Sequence, residues 1–412
     1  MSSKSVWDME DEEPRRNHVI ETTSISSQPI KLHNNVMKGF KSCGLSKPKK
    51  VQLQVLPHFT NLTFHDLVIN APPRTGKTSS AVIGILDNFS RATSKYSLAI
   101  IVCPTYEIAE ISYSCLQILG KYCDVSLNFT TKDKRPNKNE KPPKEIVIGT
   151  PDKILELSRA SLLELKKASF LFIDEADCLG NPKKFFCDIS LIFQRLSPKC
   201  RSIICSTAKT KAIEEFMAKH MISPIEISVT DTIYRPFPTK QLYIVCADEK
   251  EKIESLAFLI NIQTFRGKVV VFTETKLVAS ELGSFLHKNN IFSVLLIGDL
   301  SITQRRKVLE DFKTGVIQVL ITTRSFVSII PAGCATKLIH YNQILDEKDR
   351  LDINVYNRRD YLLSTKEKGL EIYYIEKRWE EYLFKDKDVT NGRSFFNNIE
   401  IINDLTLKEY FN

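Results

Sequence analysis

Residues 67–80 read LVINAPPRTGKTSS. The stretch begins as a short apolar strand, and from Thr78 onward the sequence has helical spacing. A Gly-Lys-Thr turn between a strand and a helix is typical of a phosphate-binding loop, in which backbone N–H groups and a lysine surround phosphate oxygens. The sequence therefore predicts that Thr75, Gly76 and Lys77 bind nucleotide phosphates and that Thr78 holds Mg²⁺. The alternative, a chance Gly-Lys-Thr at a strand–helix turn, is disfavoured by this context.

The middle of this loop departs from the usual pattern. Pro72, Pro73 and Arg74 stand where such loops carry small residues, whose backbone can approach a phosphate chain closely. If the backbone at Arg74 requires a positive φ, the arginine carries a steric cost. Otherwise its guanidinium could pair with a phosphate. The sequence leaves both interpretations open and places Arg74 among the candidate nucleotide-binding residues.

A second motif, FLFIDEADCL, occupies residues 170–179. It places Asp174 and Glu175 at the end of an apolar strand, where one carboxylate can hold Mg²⁺ and the other can orient or deprotonate an attacking water. Alone, these acids could mark the N-terminus of a helix. Following a phosphate-binding loop, they indicate a nucleotide-hydrolysis site with Lys77, Asp174 and Glu175 as its catalytic groups and Thr78 and Asp174 as its Mg²⁺ ligands.

Short apolar runs alternate with amphipathic helical patterns along most of the chain. Runs of the buried, parallel-strand type are HDLVINA, SLAIIVCP, EIVIGTP, SFLFIDEA and RSIICST. A second series reads QLYIVCA, KVVVFTE, FSVLLIG, QVLITT, KLIHYN and GLEIYYI. Strands that alternate with helices form parallel sheets with helices on both faces. The sequence therefore predicts an α/β protein with two doubly wound parallel sheets in tandem.

The predicted boundaries between the two halves follow from composition. The stretch TDTIYRPFPTKQ (230–241) holds two prolines and no helical period, which predicts a linker. The first thirty residues are polar and aperiodic, which is typical of a flexible arm. The predicted organisation is an N-terminal arm (1–30), a first domain (31–229), a linker (230–239), a second domain (240–395) and a C-terminal tail (396–412).

Composition limits the classes of protein to consider. The chain has 412 residues, 26% of them charged, and a formal net charge of +9, which favours a polyanionic partner but also suits a generic basic protein. Its ten cysteines form no Cys-x-x-Cys pair, which indicates reduced thiols rather than a disulfide frame or a zinc site. No apolar run approaches the length of a membrane span. We therefore expect a soluble intracellular protein without a membrane partner.

Taken together, the motifs resemble those of the DEAD-box RNA helicases. Asp174-Glu175-Ala176-Asp177 is the signature of that family, and further motifs of its pattern occur in order over roughly residues 31–385: GLSKPKKVQ (44–52), PTYEIA (104–109), TPDK (150–153), CSTAK (205–209), VVVFTET (269–275), TQRR (303–306) and LITT (320–323). The resemblance implies two RecA-like domains that close around ATP, Mg²⁺ and single-stranded RNA. It also implies that Gln52 reads the adenine.

The resemblance implies RNA contacts in both domains, made mainly to sugar and phosphate and hence largely independent of sequence. The residues at the matching positions are Pro104, Thr105, Thr150, Pro151, Phe272, Thr273 and Thr322. The phrases KPKKVQ, GKYCDV and EIVIGTP are similar to the mRNA-export helicases that work at the nuclear pore. This subfamily implies a nuclear or cytoplasmic location and a protein activator, and we expect a monomer.

The chain departs from the family pattern, most of all in its second domain. In the first domain, Leu45 replaces an aromatic residue, Tyr106 an arginine and Ala208 a threonine. In the second, the segment VSIIP (327–331) replaces Ala-Arg-Gly-(Ile/Leu)-Asp, so that Ser328, Ile329 and Pro331 stand where arginine, glycine and aspartate are usual. In NRRDYLLS (357–364), Arg358 matches the first arginine of the last motif, whereas Tyr361 and Ser364 replace the two arginines that touch the γ-phosphate.

These departures leave two functions open. The first is a diverged ATP-dependent RNA helicase, and the second is a hydrolysis-deficient pseudo-helicase that acts as an RNA-binding or adaptor protein. A one-residue gap in the alignment would place Arg359 at the γ-phosphate and favour the first. A DNA-translocating motor or a small-molecule kinase fits less well, since a kinase does not need the second domain.

Overall fold

The computed structural model describes residues 20–21, 31–43, 47–60, 65–94, 96–130, 144–177, 182–221, 223–229, 240–262, 267–342, 359, 362–364, 369–377 and 400–402. They form two parallel sheets with helices on both faces of each. We call residues 20–229 the N-lobe and residues 240–402 the C-lobe.

The sheet of the N-lobe has eight strands, all paired in parallel. Its strands are β1 (Ile20–Glu21), β2 (Leu67–Asn70), β3 (Ser97–Val102), β4 (Ser126–Phe129), β5 (Lys144–Gly149), β6 (Ala168–Ile173), β7 (Arg201–Ser206) and β8 (Ile225–Ser228). Their order across the sheet is β1-β8-β2-β7-β6-β3-β5-β4. The inner strands are almost fully buried, because helices cover both faces.

Eight helices cover this sheet: α1 (Asn34–Ser42), α2 (Lys50–Val55), α3 (Pro57–Thr60), α4 (Lys77–Arg91), α5 (Tyr106–Leu119), α6 (Pro151–Arg159), α7 (Pro182–Phe193) and α8 (Lys211–His220). Helices α1 to α5 contribute to one apolar core and α6 to α8 to the core on the opposite face. A 3₁₀ turn at Leu165–Lys167 precedes β6. Helices on both faces of a parallel sheet confirm the predicted doubly wound architecture.

The C-lobe repeats the architecture with seven strands, β9 (Lys240–Cys246), β10 (Val269–Thr273), β11 (Val294–Leu296), β12 (Val319–Thr323), β13 (Lys337–His340), β14 (Leu370–Glu376) and β15 (Glu400–Ile402). Their order is β11-β12-β10-β13-β14-β9-β15, and every pair is parallel. The helices are α9 (Glu249–Asn261), α10 (Lys276–Lys288) and α11 (Ile302–Thr314), with a 3₁₀ helix at Arg324–Ile329. Within the described residues no helix is long and apolar enough to cross a membrane.

All eleven strands predicted from apolar runs are present, and four further strands were not predicted. Strand β1 lies inside the predicted flexible arm and pairs with β8, and β15 lies inside the predicted tail and pairs with β9. Both extend a sheet at its edge, where backbone hydrogen bonds to a preformed neighbour can order a segment that has little periodicity of its own. Strands β4 (SLNF) and β8 (IEIS) have four residues each and alternate polar with apolar residues, so they lack the continuous apolar run by which the eleven strands were predicted. The predicted linker at 230–239 lies outside the described residues.

Candidate functional site

The phosphate-binding loop joins β2 to α4, as the sequence predicts. Gly76 is the N-cap of α4 with a φ of 100°, a left-handed conformation that glycine adopts at no steric cost. Arg74 also has a positive φ, 62°, so the steric cost considered from the sequence is present. Lys49 Nζ donates to the Arg74 carbonyl oxygen at 2.6 Å, which helps to hold the loop in this conformation. Thr75 Oγ1 donates to the Pro72 carbonyl oxygen at 2.7 Å.

Lys77 lies inside the loop and is only 3% exposed. Its Nζ donates to the carbonyl oxygens of Ala71 at 2.8 Å and Pro72 at 3.1 Å, and to Thr207 Oγ1 at 3.3 Å. These are neutral acceptors, and a phosphate oxygen is a stronger partner for an ammonium group. The ammonium group is therefore positioned to exchange loop carbonyls for phosphate oxygens.

Asp174 lies at the carboxyl end of β6 and is 1% exposed. Thr78 Oγ1 donates to its Oδ1 at 3.0 Å, and Ser112 Oγ donates to its Oδ2 at 2.8 Å. Burial, and next the charge of Glu175, raise the pKa of Asp174 to about 6, although Ser112, Thr78 and Lys77 act in the opposite direction. A buried carboxylate with a raised pKa gains most from a cation placed beside it.

The donor set at this point fits Mg²⁺. Thr78 and Asp174 offer hard oxygen atoms 3.0 Å apart, and Mg²⁺ is usually bound by one or two carboxylates together with water and substrate phosphates. Within the described residues there is no group of three or more His, Cys, Asp or Glu that could hold a metal by itself.

Glu175 follows Asp174 with a positive φ of 48°. Such a conformation is rare for a residue with a side chain, and strain of this kind clusters at functional sites. The Glu175 amide donates to Asp174 Oδ1 at 3.1 Å. The backbone therefore keeps the two carboxylates at the same edge of the sheet.

Asp177 links the acidic motif to the segment CSTAK (205–209), which begins in the last two residues of β7. Its carboxylate accepts hydrogen bonds from the backbone N–H groups of Thr207 and Ala208, at 2.7–3.0 Å. Backbone groups make this link, so the loss of a threonine at position 208 does not break it. Ser206 Oγ bonds to Asn70 Oδ1 instead.

Sequence reasoning missed two residues of the site. Thr207 accepts a hydrogen bond from Lys77 through its hydroxyl. Its signal in the sequence was a hydroxyl residue directly before Ala208, the position at which the family pattern has threonine. Ser112 ties Asp174 to α5, and its signal was its helical spacing of seven residues from Thr105. Both are local polar residues whose partners lie far away in the sequence.

Gln52 lies beside the phosphate-binding loop and is 2% exposed. Its Oε1 accepts from the Lys49 N–H at 2.8 Å, and its Nε2 donates to Ser79 Oγ at 2.9 Å. The side chain is thus held between α2 and α4. Its predicted role in reading adenine remains a prediction. Leu45 lies outside the described residues.

The predicted RNA-binding residues of the N-lobe lie at two helix N-termini on the carboxyl edge of the sheet. Thr105 caps α5 by accepting from the Ile108 N–H at 3.3 Å, and Thr150 precedes α6. Pro104, Thr105 and Thr150 are partly exposed, whereas Pro151 is buried in the first turn of α6. Helix N-termini present N–H groups that attract phosphate, which suits contacts to a nucleic-acid backbone.

The residues predicted to bind RNA in the C-lobe have buried side chains. Phe272 and Thr322 are 0% exposed and Thr273 is 1% exposed. The Thr322 hydroxyl donates to the Leu296 carbonyl oxygen at 2.8 Å, and the Thr273 hydroxyl to that of Thr275 at 3.2 Å. These three residues belong to inner strands covered on both faces, and their role in RNA binding remains a prediction.

Arg359, which a one-residue alignment gap would place at the γ-phosphate, lies in the core of the C-lobe in this structure. It is 0% exposed, its Nη1 bonds to His340 Nδ1 at 2.8 Å, and its guanidinium lies 4.1 Å from the centre of the Phe272 ring. His340 in turn stacks on Tyr373. Burial, and next the charge of Arg359, hold the pKa of His340 well below its usual value. Arg358 and Tyr361 lie outside the described residues.

The segment that replaces the family's arginine–glycine–aspartate pattern is apolar and packed. In and beside the 3₁₀ helix, Phe326, Val327, Ile329 and Ile330 are all at most 7% exposed. They belong to the same apolar cluster as residues of the N-lobe, and the 3₁₀ helix contacts α5. Hydrocarbon therefore occupies this part of the interface between the lobes.

Two arginines of the TQRR motif, at the start of α11, cross to α5 of the N-lobe. Arg305 Nε donates to Glu107 Oε1 at 2.5 Å, and this pair is 13% and 5% exposed. Arg306 donates to both carboxylate oxygens of Glu110 and to the Tyr106 hydroxyl. The predicted RNA-binding turn at Thr105 thus immediately precedes a helix that is tied to the other lobe.

Comparison with protein families gives two matches in tandem. Residues 49–216 match the DEAD/DEAH box helicase domain, and residues 251–343 match the helicase conserved C-terminal domain. Among curated proteins, the chain is 26% identical over 337 residues to human ATP-dependent RNA helicase DDX19B, a match that covers 81% of this chain and 70% of that protein.

Comparison with solved structures gives the same fold. Saccharomyces cerevisiae Dbp5 bound to RNA and ADP BeF3 superposes with a TM-score of 0.74 at 21% identity, covering 93% of this chain and 96% of that one. A variant of the same yeast protein bound to Nup159, Gle1, IP6 and ADP has a TM-score of 0.60 at 22% identity, with coverages of 92% and 98%. The fold is that of two RecA-like domains, as the sequence resemblance implied.

Proposed function

The chain belongs to the DEAD/DEAH box helicases, a family of ATP-dependent RNA helicases, and from this premise we propose that it binds ATP with Mg²⁺ and single-stranded RNA and remodels RNA or RNA–protein complexes. The finer assignment is to the mRNA-export type, with a location in the nucleus or cytoplasm and residues 31–229 and 240–395 as its two functional domains. One observation carries the proposal. The buried polar network of Lys77, Thr78, Asp174 and Asp177 is complete at the carboxyl edge of the N-lobe sheet.

Each residue of this network has a role in nucleotide binding. Lys77 exchanges the Ala71 and Pro72 carbonyl oxygens for oxygens of the β- and γ-phosphates, and the N–H groups of the turn at Gly76 face the phosphate chain. Thr78 and Asp174 would hold Mg²⁺, and the bound ion would neutralise charge on the phosphates. Glu175 orients the attacking water and accepts its proton. Asp177 transmits the state of this edge to the segment after β7 through two backbone amides.

RNA binding is assigned to the helix N-termini after β3 and β5. Pro104, Thr105 and Thr150 offer partly exposed polar groups there, and contacts to phosphate and sugar do not read base sequence. The similar yeast Dbp5 is bound to RNA in its structure, and another Dbp5 structure contains Nup159 and Gle1. By analogy, we propose a monomer that responds to a protein activator.

A second candidate function rests on the C-lobe. Arg359 is committed to the core, and Ile329 is buried where the family has glycine. These observations favour a hydrolysis-deficient RNA-binding or adaptor protein, because an arginine on the γ-phosphate contributes roughly 10³–10⁵ in rate.

The affinity of the purified chain for ATP tests the proposal, measured with and without Mg²⁺ and single-stranded RNA, together with the turnover rate. Mg²⁺-dependent ATP binding that RNA strengthens, with measurable turnover, supports the helicase. RNA binding with negligible turnover supports the adaptor. Failure to bind both ATP and RNA would contradict both.

The nature of the RNA contacts has a separate test. Affinity for RNAs of different sequence should be similar at fixed salt and should fall steeply as salt increases. Competition between RNA and DNA of the same sequence checks the polymer. A marked preference for one RNA sequence, or for DNA, would contradict this assignment.

A further inference from the structure

We propose that Arg306 of the C-lobe is a positioning residue that binds Tyr106 and Glu110 of the N-lobe. These contacts hold the two lobes closed around the RNA-binding turn at Thr105, and nucleotide contributes little to this closure. This inference rests on the proposed function, since it concerns how that turn is presented to RNA. We call Arg306, Tyr106 and Glu110 the clasp.

The geometry of the clasp is that of a fork on a carboxylate. Arg306 Nε donates to Glu110 Oε2 at 3.3 Å, and Nη2 donates to Oε1. Nη2 also donates to the Tyr106 hydroxyl at 3.3 Å, and the guanidinium lies 5.6 Å from the centre of the Tyr106 ring. A planar guanidinium is suited to this combination of bidentate pairing and ring contact, and an ammonium group is not.

Tyr106 is also anchored within the N-lobe by aromatic contacts. Its ring lies 5.0 Å from that of Phe129 on the edge strand β4, and Phe129 stacks on Tyr113 of α5 at 5.2 Å. Glu110 is one helical turn after Tyr106, so both project from the same face of α5. Separation of Arg306 from Tyr106 would therefore be resisted by the packing of α5 and β4, and not only by one flexible side chain.

In the clasp, the arginine comes from the C-lobe, whereas the family pattern has an arginine at position 106 of the N-lobe. Here a tyrosine at that position receives a guanidinium from the C-lobe. An arginine at position 106 would repel Arg306 at this distance. The tyrosine thus suits the clasp, and the departure noted from the sequence acquires a structural reason.

Two neighbouring contacts act in the same direction. Arg305 pairs with Glu107 in a largely buried bridge, and its guanidinium lies 5.5 Å from the centre of the Phe326 ring. The apolar 3₁₀ helix contacts α5. All these contacts join protein to protein, so they contribute to closure in every nucleotide state.

The consequence follows from population arithmetic. If RNA binds only closed lobes, its apparent dissociation constant is the intrinsic constant divided by the closed fraction. Protein contacts that raise the closed fraction in the absence of nucleotide reduce the further increase in the closed fraction that ATP can cause. The clasp therefore weakens the dependence of RNA affinity on nucleotide.

The experiment compares the full-length chain with Arg306→Ala, Arg306→Lys and Lys307→Ala. Lys307→Ala is the matched control. It removes the same charge from the next position of α11, but Lys307 pairs with Asp311 of its own helix. RNA affinity is measured at constant salt without nucleotide and with a non-hydrolysable ATP analogue, and small-angle scattering measures the radius of gyration of each chain alone.

Arg306→Ala should weaken nucleotide-free RNA binding about fivefold, as expected for a bidentate pair that is partly exposed, and binding with the analogue less than twofold. It should also increase the radius of gyration relative to Lys307→Ala, which should match wild type in both assays. Arg306→Lys should lie between. Equal losses in both nucleotide states would mean that Arg306 contacts RNA phosphate directly, and would overturn the proposal.

The scattering measurement separates this proposal from the proposed function. If wild type binds no RNA, the proposed function fails, and the clasp is still tested by the radius of gyration. A double-mutant cycle with Glu110→Gln gives the decisive check, because the two changes should be less than additive only if the side chains interact. Additive effects, or an unchanged radius of gyration, would overturn the clasp.

Discussion

The carboxyl edges of the two sheets have the same architecture and opposite chemistry. In the N-lobe, Lys77, Asp174 and Asp177 meet there in a buried hydrogen-bonded network. In the C-lobe, the 3₁₀ helix after β12 presents apolar residues that are buried against the N-lobe. We therefore propose that the N-lobe keeps groups that bind a nucleotide, while packing in the C-lobe replaces the groups that the family pattern places at the γ-phosphate.

The largest expected effect concerns turnover. RNA-stimulated ATP hydrolysis by the wild-type chain should be lower than that of an intact relative by about 10³ or more, because Tyr361 and Ser364 stand where the family pattern has the two arginines of the γ-phosphate. Steady-state phosphate release with and without RNA measures it. Robust RNA-stimulated turnover would break the contrast between the lobes, by showing that Arg74 or a partner supplies the missing charge.

Restoring the C-lobe sharpens the same comparison. Tyr361→Arg with Ser364→Arg should recover little activity alone, and more when Ser328→Arg, Ile329→Gly and Pro331→Asp are added, because such groups act as a unit. Ile329 is buried, so thermal melting of each variant serves as the control for folding. Full recovery by the arginine pair alone would contradict the expectation.

The next effect concerns ATP affinity. Lys77→Ala should weaken Mg²⁺-dependent ATP binding about a hundredfold, since it removes charge-assisted hydrogen bonds to phosphate. Ser328→Ala in the C-lobe should change it less than twofold. Calorimetric titration of both variants measures the difference. Wild-type affinity in Lys77→Ala would show that the phosphate loop is assigned wrongly, and a large loss in Ser328→Ala would show that the C-lobe holds the nucleotide.

A smaller effect concerns the acid stability of the C-lobe. Burial, and next the charge of Arg359, hold the pKa of His340 well below 6.5. Just below pH 6.5, the histidine is therefore protonated in the unfolded chain but remains neutral in the folded chain. Stability is therefore complete above about pH 6.5 and declines as pH falls below it, by about 1.4 kcal/mol for each unit. Melting curves from pH 7.5 to 5 should show this loss, and His340→Gln should reduce it. An equal slope in the variant would place the acid sensitivity elsewhere.

The smallest expected effect concerns the strained loop of the N-lobe. Arg74→Gly and Arg74→Ala both remove the side chain, but only glycine relieves a φ of 62°. The glycine variant should therefore be more stable than the alanine variant by about 1 kcal/mol in chemical denaturation. Equal stability of the two variants would mean that the loop relaxes and that the positive φ costs nothing.

Local sequence determined much of this protein. Apolar runs predicted eleven of the fifteen strands that the described residues form, and the Gly-Lys-Thr turn and the Asp174-Glu175 pair pointed to the candidate site of the N-lobe, because period and spacing are properties of neighbouring residues. Parallel strands then bring their carboxyl ends to one edge, so residues almost a hundred positions apart were expected to meet.

Only the tertiary structure decided which side chains face the cleft. Ser112 on Asp174, Thr207 on Lys77 and the clasp at Arg306 each join residues that lie far apart in the sequence. The burial of Phe272 and the inward direction of Arg359 depend on what covers each face of the C-lobe sheet. A motif specifies where along a strand or helix a residue lies, but its exposure and partners are set by the packing of distant elements, which no local pattern contains.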